Sequence, residues 1–124
     1  MTAPNIVNVT SIIGRTITAN LTTTAATRIV SNTSGSGKVF KINAMYITNI
    51  DTAVNIPVTI NHYSTESISG TATGLVSTIV IPINATLVIT SKDLSMYLEE
   101  NTSLGAIAGT ANKIKIVCSY EEIL

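Results

Sequence analysis

The last quarter of the chain alternates between apolar and polar residues, and this period of two is the strongest constraint on its fold. Residues 94–123 read LSMYLEENTSLGAIAGTANKIKIVCSYEEI. Leu94, Met96 and Leu98 alternate with Ser95, Tyr97 and Glu99. After a turn at 99–103, Leu104, Ala106 and Ala108 alternate in the same way. After the small-residue turn at 109–112, Ile114, Ile116, Cys118 and Tyr120 repeat the pattern. Successive side chains of a strand point to opposite faces, so each segment is predicted to be a strand with one dry face. All three dry faces are expected to line one core.

The rest of the chain extends this reading. Threonine, isoleucine and valine supply about two-fifths of its 124 residues, and β-branched side chains suit a pleated surface better than a helix. Strands are predicted at 5–13 and 15–21, broken at Gly14, and at 27–31. The run 38–50 carries the longest strand signal, with Phe40, Ile42, Ala44 and Tyr46 on one face. Val39, Met45 and Ile47 give its other face an apolar character too, as in a strand covered on both sides. A strand at 55–63 contains Pro57, which lacks an amide hydrogen. That strand is expected to run along a sheet edge, or to begin its pairing beyond the proline. Strands at 75–81 and 87–90 flank the turn at 82–86. No segment keeps a 3.6-residue period for three turns. Short strands at regular spacing imply an all-β, single-domain antiparallel β-sandwich. The long polar excursions at 22–27 and 64–74 favour a jelly-roll or Greek-key course. Residues 11–124 are expected to form the sandwich, and residues 1–10 an extended N-terminal arm or first strand.

Composition adds a functional constraint. Only 11% of residues are charged and the formal net charge is zero, while 45% are hydrophobic. Soluble domains carry about 25% charged residues and rely on that coat to stay dispersed. Either Thr, Ser and Asn form the coat of a solitary sandwich, or neighbouring subunits cover much of the surface. The second reading is preferred. A neutral chain also lacks the basic patch that captures nucleic acid. The longest apolar runs fall well short of the roughly 20 residues that span a bilayer as a helix. No signal peptide is visible in the opening residues, so assembly in a reducing cytoplasm is expected. Neither nucleic acid nor membrane is expected as a partner.

A search for reactive groups returns little. The loop SGSGK at 34–38 superficially resembles a phosphate-binding loop, but Asn32 stands where the first glycine belongs and Val39 replaces the hydroxyl residue. A strand follows it rather than a helix, so a plain turn is expected. His62, the one histidine, closes an alternating strand beside Tyr63 and near Glu66, without a partner that proton transfer requires. Cys118, the one cysteine, shares a face with Ile114 and Ile116 and reads as a small buried hydrophobe. The pairs Glu99–Glu100 and Glu121–Glu122 point to opposite faces, unlike a glycosidase pair. One histidine and one cysteine exclude a nitrogen–sulfur metal cluster. Five N-x-S/T sequons, starting at Asn8, Asn20, Asn32, Asn84 and Asn101, are common by chance in so Asn- and Thr-rich a chain. Five aromatic residues, scattered through the sequence, are too sparse for a stacking platform. No catalytic residue, metal site or cofactor is expected.

A resemblance supplements this reading. Leu98–Glu99–Glu100, Ser103–Leu104, Ala106, Ala108, Ala111–Asn112, Ile114, Val117 and the ending Ser119–Ile123 resemble small virion proteins of tailed bacteriophages. The opening Val7–Thr10 and the stretch Val80–Val88 add to the likeness. In the turn, Asn101–Thr102 stands where a Gly-Asp-like pair is typical of such proteins. The resemblance implies a β-sandwich or jelly-roll module, often trimeric, that decorates or cements a capsid. The expected partners are sister copies and the phage major capsid protein, and the expected location is the virion. A neck, tail or fibre accessory is the alternative, followed by a carbohydrate-binding sandwich using loops 64–74 and 32–37. The candidate subunit contacts are Asn5, Val7 and Val9 of the arm, and Val39, Met45 and Ile47 on the second face of the long strand.

Overall fold

Alternation on this scale requires two facing sheets, and these are what the computed structural model, which describes residues 4–124, contains. One sheet has the order β1 (Ile12–Leu21), β9 (Ile114–Ile123), β3 (Val39–Asn49) and β6 (Thr86–Thr90), and β7 (Met96–Leu98) also pairs with β3. The other has the order β2 (Thr27–Asn32), β8 (Thr102–Ala108), β4 (Ile56–Tyr63) and β5 (Ala72–Ile81). Every pairing is antiparallel. β6 and β7 lie end to end along β3, separated by a short 3-10 turn at Lys92–Leu94. Counted as two halves of one strand, they complete the jelly-roll order, in which two Greek keys wind into facing sheets.

The dry faces meet as the alternation requires. Leu98, Leu104, Ala106, Ala108, Ile114, Ile116, Cys118 and Tyr120 all enter one core cluster with Ile42, Met45, Ile47, Ile56, Val58 and Ile60. Leu94 departs from the pattern: it lies in the 3-10 turn and is 72% exposed. Gly14 does not break the first strand. It sits inside β1 opposite Glu121, on an open flank where nothing crowds it. Residues 5–11 do not pair as a strand. Asn5 holds a turn through Asn8 N–H to its carbonyl and Val7 N–H to its side chain. The first three residues of the expected arm lie outside the described residues.

Two further departures have local causes. In β3 the register against β9 shifts between Ile42 and Ala44, leaving Asn43 as an extra residue. An extra residue reverses the facing of everything beyond it. Phe40 and Ile42 therefore enter the core before the bulge, and Met45 and Ile47 after it. Tyr46 is turned outward. β4 is an interior strand between β8 and β5 rather than an edge. Pro57 is tolerated because the ladder to β8 begins only at Val58, and its carbonyl accepts the Gly109 amide at 2.9 Å.

Each end of the sandwich is closed by a buried asparagine. Asn32, at the end of β2, donates through Nδ2 to the carbonyls of Lys38 (2.9 Å) and Leu98 (3.0 Å). Asn49, at the end of β3, donates to Val54 (3.0 Å) and Ile81 (2.9 Å). Both are fully buried, and each satisfies carbonyls at a point where the strand ladder has run out. Asn49→Ala leaves two carbonyls without their donor and is expected to cost about 2–3 kcal/mol in urea unfolding. Asn20→Ala, on the exposed flank of β1, is the control and is expected to change stability by less than about 0.5 kcal/mol.

Candidate assembly surface

A jelly roll built this way ends in four edge strands, and an unpaired edge is a template for a further strand. Three of the four are blunted. β2 is short and carries a bulge between Arg28 and Val30. β5 shifts register twice against β4, and Thr78 adopts a left-handed φ of 48° there, hydrogen-bonded through its amide to Thr59 Oγ1. The opposite edge of the first sheet is interrupted between β6 and β7. β1 differs: it pairs with β9 over ten consecutive residues without a shift, and among the described residues no strand lies on its other flank. Ile12 and Ile13, at its start, are 55% and 45% exposed.

The outer face of the same sheet carries an apolar row. The register places Val88 of β6 beside Tyr46 of β3, and Tyr46 beside Val117 of β9. Val88 is 54% and Tyr46 40% exposed. Sequence reasoning missed Tyr46 because it continued the alternation of β3 through Asn43. The three-residue step from Ile42 to Met45 was the available signal.

The sequence-derived contact residues divide into two groups. Met45 and Ile47 are fully buried in the chain's own core and present no outer surface, a correction that follows from the bulge at Asn43. Val39 is buried as well; it lines a cavity of about 270 Å³ with Pro4, Ile6, Tyr97 and Glu99. Asn5 and Val7 are exposed and Val9 is half-buried.

Most carboxylates are tied to donors of the chain itself, although Glu122 alone is buried. Five of the seven acidic residues hold hydrogen bonds through their side chains: Asp51, Glu66, Glu100, Glu121 and Glu122. The glycine-rich loop at 33–37, expected to be a plain turn, points three amides at two of the chain's own carboxylates. Glu66 accepts from Ser34 N–H at 2.6 Å, and Glu100 accepts from Gly35 N–H (3.0 Å) and Gly37 N–H (3.2 Å). Glu121 accepts from Asn43 Nδ2 at 3.0 Å. Glu122 is buried on the inner face, between Arg15 Nε and Lys38 Nζ, the latter at 2.9 Å.

Burial pushes the Glu122 carboxyl up, but the hydrogen bonds and charges of Lys38 and Arg15 outweigh it and hold the carboxyl below its ordinary value. Burial pushes the Cys118 thiol up to about 12, so the thiol is inert in the folded chain. His62 is half-buried at the end of β4 and takes no hydrogen bond among the described residues. Asn32, the third sequon asparagine, is fully buried and so closed to glycosylation. Among the described residues, no three His, Cys, Asp or Glu side chains cluster closely enough to hold a metal ion. No helix among them is long and apolar enough to cross a membrane.

Because its folded-state pKa is depressed, Glu122 contributes stability that is present above its unfolded pKa and lost as pH falls through the folded one. Wild-type stability is therefore expected to decline on acidification through the carboxylate range. Glu122→Gln should lose stability at neutral pH and show a flatter acid limb, measured by denaturant titration at a series of pH values.

No family model matches the chain, and no curated protein matches it in sequence. Its fold is similar to that of a chain from Bacillus endospore appendages, a family of disulfide-linked pili. That alignment has a TM-score of 0.53 and 18% identity, and covers 91% of this chain and 88% of the other. A chain of the T13 IBDV viral particle aligns with a TM-score of 0.41 and 7% identity, over 90% of this chain and 31% of the other. The first likeness agrees with the β-sandwich fold; the second is too slight to argue from.

Proposed function

We propose that this protein is a non-enzymatic structural subunit that self-associates, with β1 as its principal contact strand. The observation that carries this reading is the unblunted ten-residue edge of β1 on a molecule of which only 11% of residues are charged. A strand from a sister copy would satisfy the open N–H and C=O groups of β1 and shield Ile12. The apolar row of Val88, Tyr46 and Val117 and the N-terminal Asn5, Val7 and Val9 extend the contact surface. In its specific form the proposal is a decoration or cement protein of a tailed-phage virion, a homotrimer seated on the major capsid protein. This form rests on the sequence resemblance.

A second reading, a subunit of a fibre, is favoured by the fold likeness to the endospore appendage chain. Those pili are disulfide-linked. This chain has one cysteine, and it is buried, so a polymer of folded copies would be held by non-covalent contacts.

Analytical ultracentrifugation and electron microscopy of the purified protein test the reading and separate its forms. A discrete trimer supports the decoration form, filaments support the fibre form, and a monomer at micromolar concentration sinks both. Ile12→Lys with Thr16→Lys places charges on the open edge at two exposed positions and is expected to yield folded monomer. A thiol reagent is expected to label Cys118 only after denaturation, and reductant should leave the assembly intact.

A further inference from the structure

A net charge of zero hides a separation of charge along the strands. At one end of the sandwich lie the start of β1, the end of β9 and the loops at 33–38, 64–71 and 99–101. At the other lie the loops at 22–26, 50–55, 82–85 and 109–113. Glu66, Glu99 and Glu100 all belong to the first end, where Arg15 and Lys38 are already tied to Glu122. Arg28, Lys113 and Lys115 belong to the second, and none of them forms a salt bridge among the described residues. Asp51, the acid of that end, accepts from the Ala53 and Val54 amides of its own loop. Lys41 and Glu121 are register partners, and Lys92 adjoins Asp93, so these charges cancel locally. One end is therefore acidic and the other basic.

Each end also exposes apolar side chains. At the basic end these are Ile50, Val54 and Ile83. Hydrogen bonds fix their loops around the end of β3. Asn49 Nδ2 donates to the Val54 carbonyl, the Ile50 amide to the Lys113 carbonyl at 2.9 Å, and the Ile83 amide to Asn55 Oδ1 at 3.1 Å. The three side chains thus form an apolar knob on a braced base. The acidic end carries a hollow instead. Pro4, Ile6, Val39 and Tyr97 line the opening of about 270 Å³ together with Glu99, and its lining is mainly apolar. Glu99 is exposed there and forms no salt bridge among the described residues.

We propose that the two ends dock on each other, head to tail, between successive copies of this chain. The knob of Ile50, Val54 and Ile83 seats in the hollow at Val39 and Tyr97 of the next copy, and Lys113 meets Glu99. Joining like ends would set the acidic loops against each other, or the basic ones, whereas opposite ends attract. A contact between two different surfaces leaves one end of each kind open, so it repeats along an axis. The inference rests on the fibre form of the proposed function and adds a contact along the strand direction to the lateral one at β1. Between single copies it is weak. It strengthens where β1-paired copies present several ends at once.

The test is a series of amide NMR spectra from micromolar to millimolar concentration at low ionic strength. It uses the full chain carrying Thr16→Lys with Thr18→Lys, which charge the β1 edge midway between the two ends. The expected result is concentration-dependent shifts at Ile50, Val54 and Ile83 together with Tyr97 and Glu99, diminished by added salt. Glu99→Lys or Lys113→Glu alone is expected to weaken this association about tenfold. Mixing the two variants, or combining both changes in one chain, is expected to restore it. Absence of shifts, shifts at one end only, or failure of the combined reversal to restore association would overturn the end-to-end contact. If wild type nevertheless assembles, the β1 reading survives that result. Shifts at both ends in a chain whose wild type shows no lateral pairing overturn β1 as the principal contact and leave the end-to-end one standing.

Discussion

Strand β9 is the member on which the other strands depend. It is paired along its whole length on both flanks, with β1 over Ile114–Ile123 and with β3 over the same residues, apart from one bulge. Its inner side chains, Ile114, Ile116, Cys118 and Tyr120, reach across to the second sheet and are almost wholly removed from water. A β-sheet is stable only where backbone groups are paired and one face is dry, and β9 meets both conditions at every position. The two buried asparagines continue this logic at the poles. Where the ladders stop, Asn32 and Asn49 supply the donors that the loop carbonyls would otherwise lack.

The carboxylates serve the same need. In most small domains acidic residues form a solvated coat, but here they tie loops and strands together. Glu100 bridges the turn after β7 to the glycine-rich loop, and Glu66 ties the long 64–71 excursion to the same loop. Glu122 joins the strands around it through Arg15 and Lys38. Among the acidic residues, Asp93 and Glu99 make no side-chain hydrogen bond among the described residues, and the exterior is mostly Thr, Ser, Asn and scattered aliphatic side chains, with a few lysines and Arg28 among them. That exterior resists aggregation weakly, which places the weight on strand edges. Bulges in β2 and β5 and the interruption between β6 and β7 protect three edges, whereas β1 stays regular and open.

The glycine-rich loop illustrates how tertiary neighbours redirect a local signal. Residues 34–37 read locally as a plain turn, yet their amides bind carboxylates more than thirty residues away in sequence.

The amino-acid sequence by itself determined the fold class, the strand content and most of the core, because period-two burial is a local property that each strand writes into its own residues. The C-terminal alternation placed Leu104, Ala106, Ala108, Ile114, Ile116 and Cys118 in the interior correctly. The facing of β3 beyond Asn43 was decided only in three dimensions, since a bulge is a mismatch between two strands and neither strand records it alone. The same holds for Pro57 within an interior strand and for the identity of the open edge. Each depends on which strand lies alongside which, and pairing partners distant in sequence are set by the packing of the whole.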